Sequence, residues 1–219
     1  HNLPVTLIGN GGGMVYAPLG PTHQAIEDIS IMRTLPNLTI LAPCDSNDMK
    51  NLVLQTTKIK GPIYIRIARG GEKIITNGKK SKIGKGLVLK SQTKFNFLTT
   101  GITAQIALDA AKKIKKKYNM DVGVIHFSTV KPLDKKLLKK IIINSKKIIT
   151  IEENVVEGGF GSSILEFSSN LKKSKNNIYL VGLKNEFSKK YGTQQEILEF
   201  NNLKDEYLCK KMYNFIIND

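Results

Sequence analysis

Short apolar runs alternate with stretches of helical periodicity along the whole chain, and that alternation most restricts its fold. "PVTLIG" (4–9), "LTILAP" (38–43) and "PIYIRIA" (62–68) are bounded by Gly or Pro, as strands are. Between them, Gln24–Leu35 places Ile26, Ile29, Met32 and Arg33 at helical spacing. Glu27 and Asp28 fall in its first turns, where the helix dipole favours acids. Asp45–Lys58 predicts a second helix, capped by Asp45 or Ser46, with Met49, Leu52 and Val53 on one face. The second half repeats the pattern, with strands at 95–101, 121–127, 147–153 and 177–183. Helices are predicted over Thr103–Lys117 and Asp134–Asn144, after the glycine turn "GGFG" (158–161), and once or twice towards the C-terminus. Strands separated by helices of this length imply βαβ units. The expected fold class is therefore α/β, two domains with mainly parallel sheets flanked by helices.

Residues 70–86, "GGEKIITNGKKSKIGKG", are short of apolar side chains and dense in Gly and Lys, which reads as a linker. Taking 73–86 as the linker places the domains at 1–72 and 87–219. The P-loop spacing fails there, because Gly78 to Gly84 is one residue too long and Gly86 stands where Ser or Thr is required.

The chain has 219 residues, 41% hydrophobic and 24% charged, an ordinary globular composition. No apolar run approaches the ~20 residues that cross a bilayer, and there is no signal-peptide pattern, so the expected localisation is cytoplasmic, with no membrane partner. Cys44 and Cys209 lack metal spacing and are expected as reduced, structural thiols. The chain opens "HNLPVTLIG" without Met and already inside an apolar strand, so further chain is expected upstream in the natural protein. The net charge of +16 invites a nucleic-acid reading. Against it, only Arg33, Arg66 and Arg69 are arginine, and the lysine runs lack interleaved aromatics. "KKIKKK" (112–117) reads instead as a solvated helix face, and no nucleic-acid partner is expected.

"IGNGGGM" (8–14) resembles part of a dinucleotide fingerprint, but Pro18, Gly20 and Pro21 interrupt the helix that should follow. A loop that lets backbone approach a ligand is the alternative to a plain surface turn. His23 stands at a predicted helix start on the carboxyl side of a strand, where α/β ligands gather. Arg69 follows "IYIRIA" at another strand end, and its fork of donors suits a phosphate or carboxylate. Arg66 reads as a surface or interface residue and Asp45 as a cap. Glu152 and Glu153 suit an interface as readily as a ligand, and "GGFG" suits a packing turn better than an anion site.

"GPTHQAIEDISIMRTLPNLTILAPCD" and "GPIYIRIARG" resemble the pyrimidine-binding domain of transketolases, including the related 1-deoxyxylulose-5-phosphate synthases. "TTGITAQIALDAA", "VIHFSTVKPLD", "TIEENVVEGGFGSSILE" and "EFSKKYGTQQEIL" are similar, in order, to the family's C-terminal domain. The resemblance implies the C-terminal section or a subunit of a thiamine-diphosphate enzyme that moves a two-carbon ketol unit between sugar phosphates. By that match His23 corresponds to the active-site histidine and Arg69 to the arginine that grips the substrate phosphate. The family's activating glutamate and its diphosphate-and-metal motif have no counterpart in this sequence. The resemblance therefore implies a partner section or second subunit that shares the thiamine diphosphate and Mg²⁺, within an oligomer. Leu19 stands where transketolases carry Asp, and Gly11 where they carry His, which leaves the sugar open. A 2-oxo acid dehydrogenase beta subunit shares the two-domain plan, but "THQ" and "IARG" depart from it. A non-catalytic interaction fragment is the alternative from another class.

Overall fold

The computed structural model describes residues 1–171 and 177–218. The first half runs β1 (Thr6–Asn10), α1 (Asp28–Thr34), β2 (Thr39–Leu41), α2 (Ser46–Thr56) and β3 (Ile63–Ile67). The second begins with β4 (Leu87–Lys90), β5 (Phe95–Thr99), α3 (Thr103–Tyr118), β6 (Gly123–His126), β7 (Thr129–Lys131) and α4 (Lys135–Asn144). It closes with β8 (Lys147–Val155), α5 (Phe160–Ser169), β9 (Asn177–Leu183), α6 (Gln194–Phe200) and α7 (Asp205–Ile217).

Two sheets result, one ordered β1-β3-β2-β7 and the other β4-β6-β5-β8-β9. Pairing is parallel except at β7, which runs against β2, and at β4, which runs against β6. The α/β class and the mainly parallel sheets are as expected. Strand β7 is an addition: residues from the second half complete the first half's sheet.

Helix α3 turns Ala104, Ala107, Ala110, Ala111 and Ile114 inward, and small side chains let a helix lie close against a sheet. It packs on Phe97, Val124 and Ile149 of the second sheet and on Leu208 and Met212 of α7. Met14, Ala17 and Ile26 of the first half join that same core. A second core sets Ile29 and Ile40 of the first half against Phe127, Leu138, Ile141 and Phe160 of the second. Each such fully buried side chain contributes roughly 1.5–3 kcal/mol, and the halves share the gain.

One expectation is corrected. The helix predicted from Gln24 begins only at Asp28. Gly13 N donates to Ala25 O at 2.7 Å and Ala25 N to Gly13 O at 3.1 Å, so the chain is held extended there. The Gly/Lys-rich segment 73–86 contains no helix or strand; it is exposed over 77–80 and anchored at buried Thr76 and Ser81. Thr76 is fully buried, with its amide and hydroxyl both donating to Asp45.

Candidate functional site

The carboxyl ends of β1, β2 and β3 converge on a cavity of about 220 Å³. Asn10 ends β1, Cys44 and Asp45 follow β2, and Arg69 and Glu72 follow β3; all five line it. Arg69 is exposed at the rim, so its guanidinium keeps its donors available. Asp45 is not, because it is the N-cap of α2. Its Oδ1 accepts from Asp48 N at 2.7 Å, and its Oδ2 accepts from Ile75 N and Thr76 N. Burial, with the carboxylates of Asp48 and Asp45, pushes the Cys44 thiol upward.

His23 ends a 3-10 turn, Pro21–His23, five residues before α1. It is exposed, with Nδ1 3.0 Å from Thr22 Oγ1, and it is not among the residues lining the Arg69 cavity. Leu19, four residues earlier, is 54% exposed. Gly11 has φ +82°, and a Cβ there would lie 2.2 Å from the Tyr16 ring. No side chain fits that position while Tyr16 stays in place.

The glycine loop is filled by the protein itself. A Cβ on Gly13, at φ +75°, would fall 2.3 Å from Glu153 Cδ, and one on Gly12 would meet Arg66. The loop thus brings backbone against the chain's own side chains. Arg66, expected at a surface or an interface, is 6% exposed. Its Nη2 donates to Ala25 O at 3.0 Å and Glu153 O at 2.7 Å, and its Nε lies 3.0 Å from Asp28 Oδ2. Tyr64 donates to the same Asp28 oxygen. Parallel sheets are covered on both faces, so alternation along β3 did not reveal this burial.

Glu152 and Glu153 are internal clamps. Glu152 accepts from Phe160 N and Gly161 N at 2.7 and 2.8 Å, occupying the α5 N-terminus with the chain's own carboxylate. "GGFG" is therefore a packing turn. Burial raises Glu152 from 4.5 to about 8, against those two amides. Glu153 Oε1 accepts from Met14 N and Gln194 Nε2, and burial pushes it up against Arg66. These contacts, with Gly101 N donating to Ala42 O, tie the carboxyl end of the second sheet to the first half.

Mg²⁺ with a diphosphate requires near-octahedral oxygen ligands. Among the described residues, the group with metal-ligand spacing is Cys44, Asp48 and His126, all buried. One sulfur, one carboxylate and one imidazole do not fit that requirement. Also among the described residues, no helix is long and apolar enough to cross a membrane.

Residues 1–71 match the transketolase pyrimidine binding domain, and residues 84–203 the transketolase C-terminal domain. A 1-deoxy-D-xylulose-5-phosphate synthase of Clostridium perfringens (strain SM101) is 38% identical over 76% of this chain and 27% of its own length. That of Clostridium tetani is 33% identical over 97% of this chain and 34% of its own. The chain thus spans only 27–34% of these relatives. A split-gene transketolase, solved as an inactive β4 tetramer, superposes with a TM-score of 0.85 at 29% identity. The match covers 96% of this chain and 66% of that one. Transketolase from Campylobacter jejuni gives 0.74 at 19%, covering 98% and 31%, a likeness of fold. With both domain matches in chain order over nearly the whole sequence, the chain belongs to the transketolase family.

Proposed function

We propose that this chain is the C-terminal section of a transketolase-like enzyme, supplying one wall of a thiamine diphosphate site. An N-terminal section or second subunit supplies the other wall, with the diphosphate and Mg²⁺ ligands. The proposed domains are 1–72 and 87–219, joined by 73–86. The observation that carries the reading is the open carboxyl end of the first sheet, with Arg69 at its cavity rim, in a chain lacking a Mg²⁺-type ligand set among its described residues. Exposed Arg69 offers a planar fork to a substrate phosphate. Exposed His23 offers a ring nitrogen to the substrate hydroxyl or to the reacting carbonyl oxygen. The rest of the chain orients these two groups, as cofactor enzymes generally do. The substrates are sugar phosphates, and the reaction is two-carbon ketol transfer.

The curated relatives favour a second reading, synthesis of 1-deoxy-D-xylulose 5-phosphate, because they carry that name at 33–38% identity. Both are tested by mixing this chain with a polypeptide carrying the diphosphate-binding section. Ketol transfer and 1-deoxy-D-xylulose 5-phosphate formation are then assayed, each with thiamine diphosphate and Mg²⁺. Activity is expected only in the mixture. His23→Ala should lower it at least ~100-fold, as loss of a positioned proton-transfer group does. Arg69→Ala should raise KM more than it lowers kcat. Inactivity in every mixture, or tight stoichiometric cofactor binding by this chain alone, would overturn the proposal.

A further inference from the structure

Between the two sheets lies a cluster that none of these roles uses. Cys44 follows β2, Asp48 lies in the first turn of α2, and His126 ends β6. Each offers one ligand atom, and the three atoms lie within 4.8 Å of one another. All three residues are essentially closed to solvent.

We propose that Cys44 Sγ, Asp48 Oδ2 and His126 Nε2 form a zinc site that crosslinks the two halves of the chain. The donor set is the first argument. Thiolate, imidazole and carboxylate together suit Zn²⁺, whereas Mg²⁺ and Ca²⁺ require oxygens.

Spacing is the second. Two donors on a tetrahedral zinc with bonds of about 2.0–2.2 Å stand roughly 3.4 Å apart. His126 Nε2 and Asp48 Oδ2 are already 3.2 Å apart. Cys44 Sγ lies within 4.8 Å of both.

The third argument is the shell behind the ligands. His126 Nδ1 lies 3.2 Å from Thr99 Oγ1, and Ser128 Oγ lies 3.0 Å from Asp48 Oδ1 and 2.8 Å from Oδ2, which also accepts from Cys44 N at 3.0 Å. The Thr99 contact holds the ring with Nε2 facing Asp48, and the Ser128 contact steadies the carboxylate, as outer-shell partners do in zinc proteins.

A route in is the fourth. Cys44 lines the Arg69 cavity and also a neighbouring cavity of about 400 Å³ bordered by Gln105, Asp109 and Gln194. Solvent entering from either can supply the fourth ligand. On binding, the metal replaces one proton, that of the thiol, which leaves to solvent; the neutral ring binds through its Nε2 lone pair and keeps its single proton on Nδ1 towards Thr99.

The test uses the full chain, incubated with ZnSO₄, desalted and analysed for metal. About one zinc per chain is expected, with a higher Tm than the metal-free chain. Replacing zinc by Co²⁺ should give thiolate-to-metal charge-transfer absorption. Cys44→Ser is nearly isosteric. It should abolish that absorption and weaken zinc binding more than ~100-fold, while circular dichroism stays unchanged. Thr99→Val should weaken binding roughly 10–100-fold, as outer-shell changes do. His23→Asn, which alters an exposed histidine, should leave zinc content unchanged. Less than about a tenth of an equivalent of zinc after desalting would overturn the site, as would full zinc retention in Cys44→Ser.

Discussion

At the scale of single residues, the sequence left Arg66 between surface and interface, and the structure buries it. Arg66 alternates with Ile65 and Ile67, yet it holds Ala25, Asp28 and Glu153 together across the two halves. Removing one member of such a buried set leaves a charge uncompensated, which typically costs 3–5 kcal/mol. Glu152 makes the more specific case, because its burial has a pH signature. Its carboxyl is raised from 4.5 to about 8, so between those values the native state keeps a proton the unfolded chain has released. Stability must therefore fall as pH rises through that window and level off above it, by up to about 1.4 kcal/mol per pH unit for one proton. Glu153 is raised as well and acts in the same direction. Glu152→Gln should remove one proton's share of the slope and leave that of Glu153. Urea unfolding at intervals across the window measures it; an unchanged slope in the variant would refute the assignment.

Among the elements, those with local signals were legible and those made by tertiary pairing were not. Helix α3 begins at Thr103 and α4 follows the Asp134 cap, both where periodicity put them. Strands β4 and β7 were missed. Neither has an alternating pattern of useful length: β7 is three residues of "TVKP", defined by its pairing with Ile40 and Leu41 rather than by its own composition. Helix α1 starts late for a similar reason, since the Gly13–Ala25 pairing overrides the helical spacing of the preceding residues. Helix α6 shows how far a local signal can reach. Thr193 accepts from Glu196 N, while Glu196 Oε2 accepts from Thr193 N at 2.8 Å, a complete capping box. With only seven residues, α6 depends on that cap, and Gln194 carries it to Glu153. Thr193→Ala should cost ~1 kcal/mol, and Thr193→Ser should recover most of it. Chemical denaturation of the three proteins checks this; an alanine variant as stable as the parent would show that packing alone sets the helix.

For the molecule as a whole, the cavity at the carboxyl ends of the first sheet was legible because strand ends, glycines and proline punctuate it. The proposed partner wall was not, since a wall on another polypeptide would leave no pattern in this one. The first sheet does carry unburied apolar surface. Leu3, Val5, Leu7 and Ile8 are 59, 45, 50 and 56% exposed. Leu7 and Ile8 are neighbours on a strand and point to opposite faces, so β1 is bare on both sides. It pairs with β3 along one edge, and the other edge stands last in the sheet order. A bare, apolar edge strand is a template for another strand, and natural proteins usually protect such edges with charge. In isolation the chain should therefore self-associate through β1, with a sedimentation coefficient that rises with concentration. A double variant, Leu7→Lys with Ile8→Lys, adds the missing charge to both faces without touching either buried core. It should sediment as a monomer with an unchanged circular dichroism spectrum. A parent chain that stays monomeric across the concentration range would show that β1 is not the contact. So would a double variant that still associates, because charge on both faces of the strand must disrupt any pairing made there.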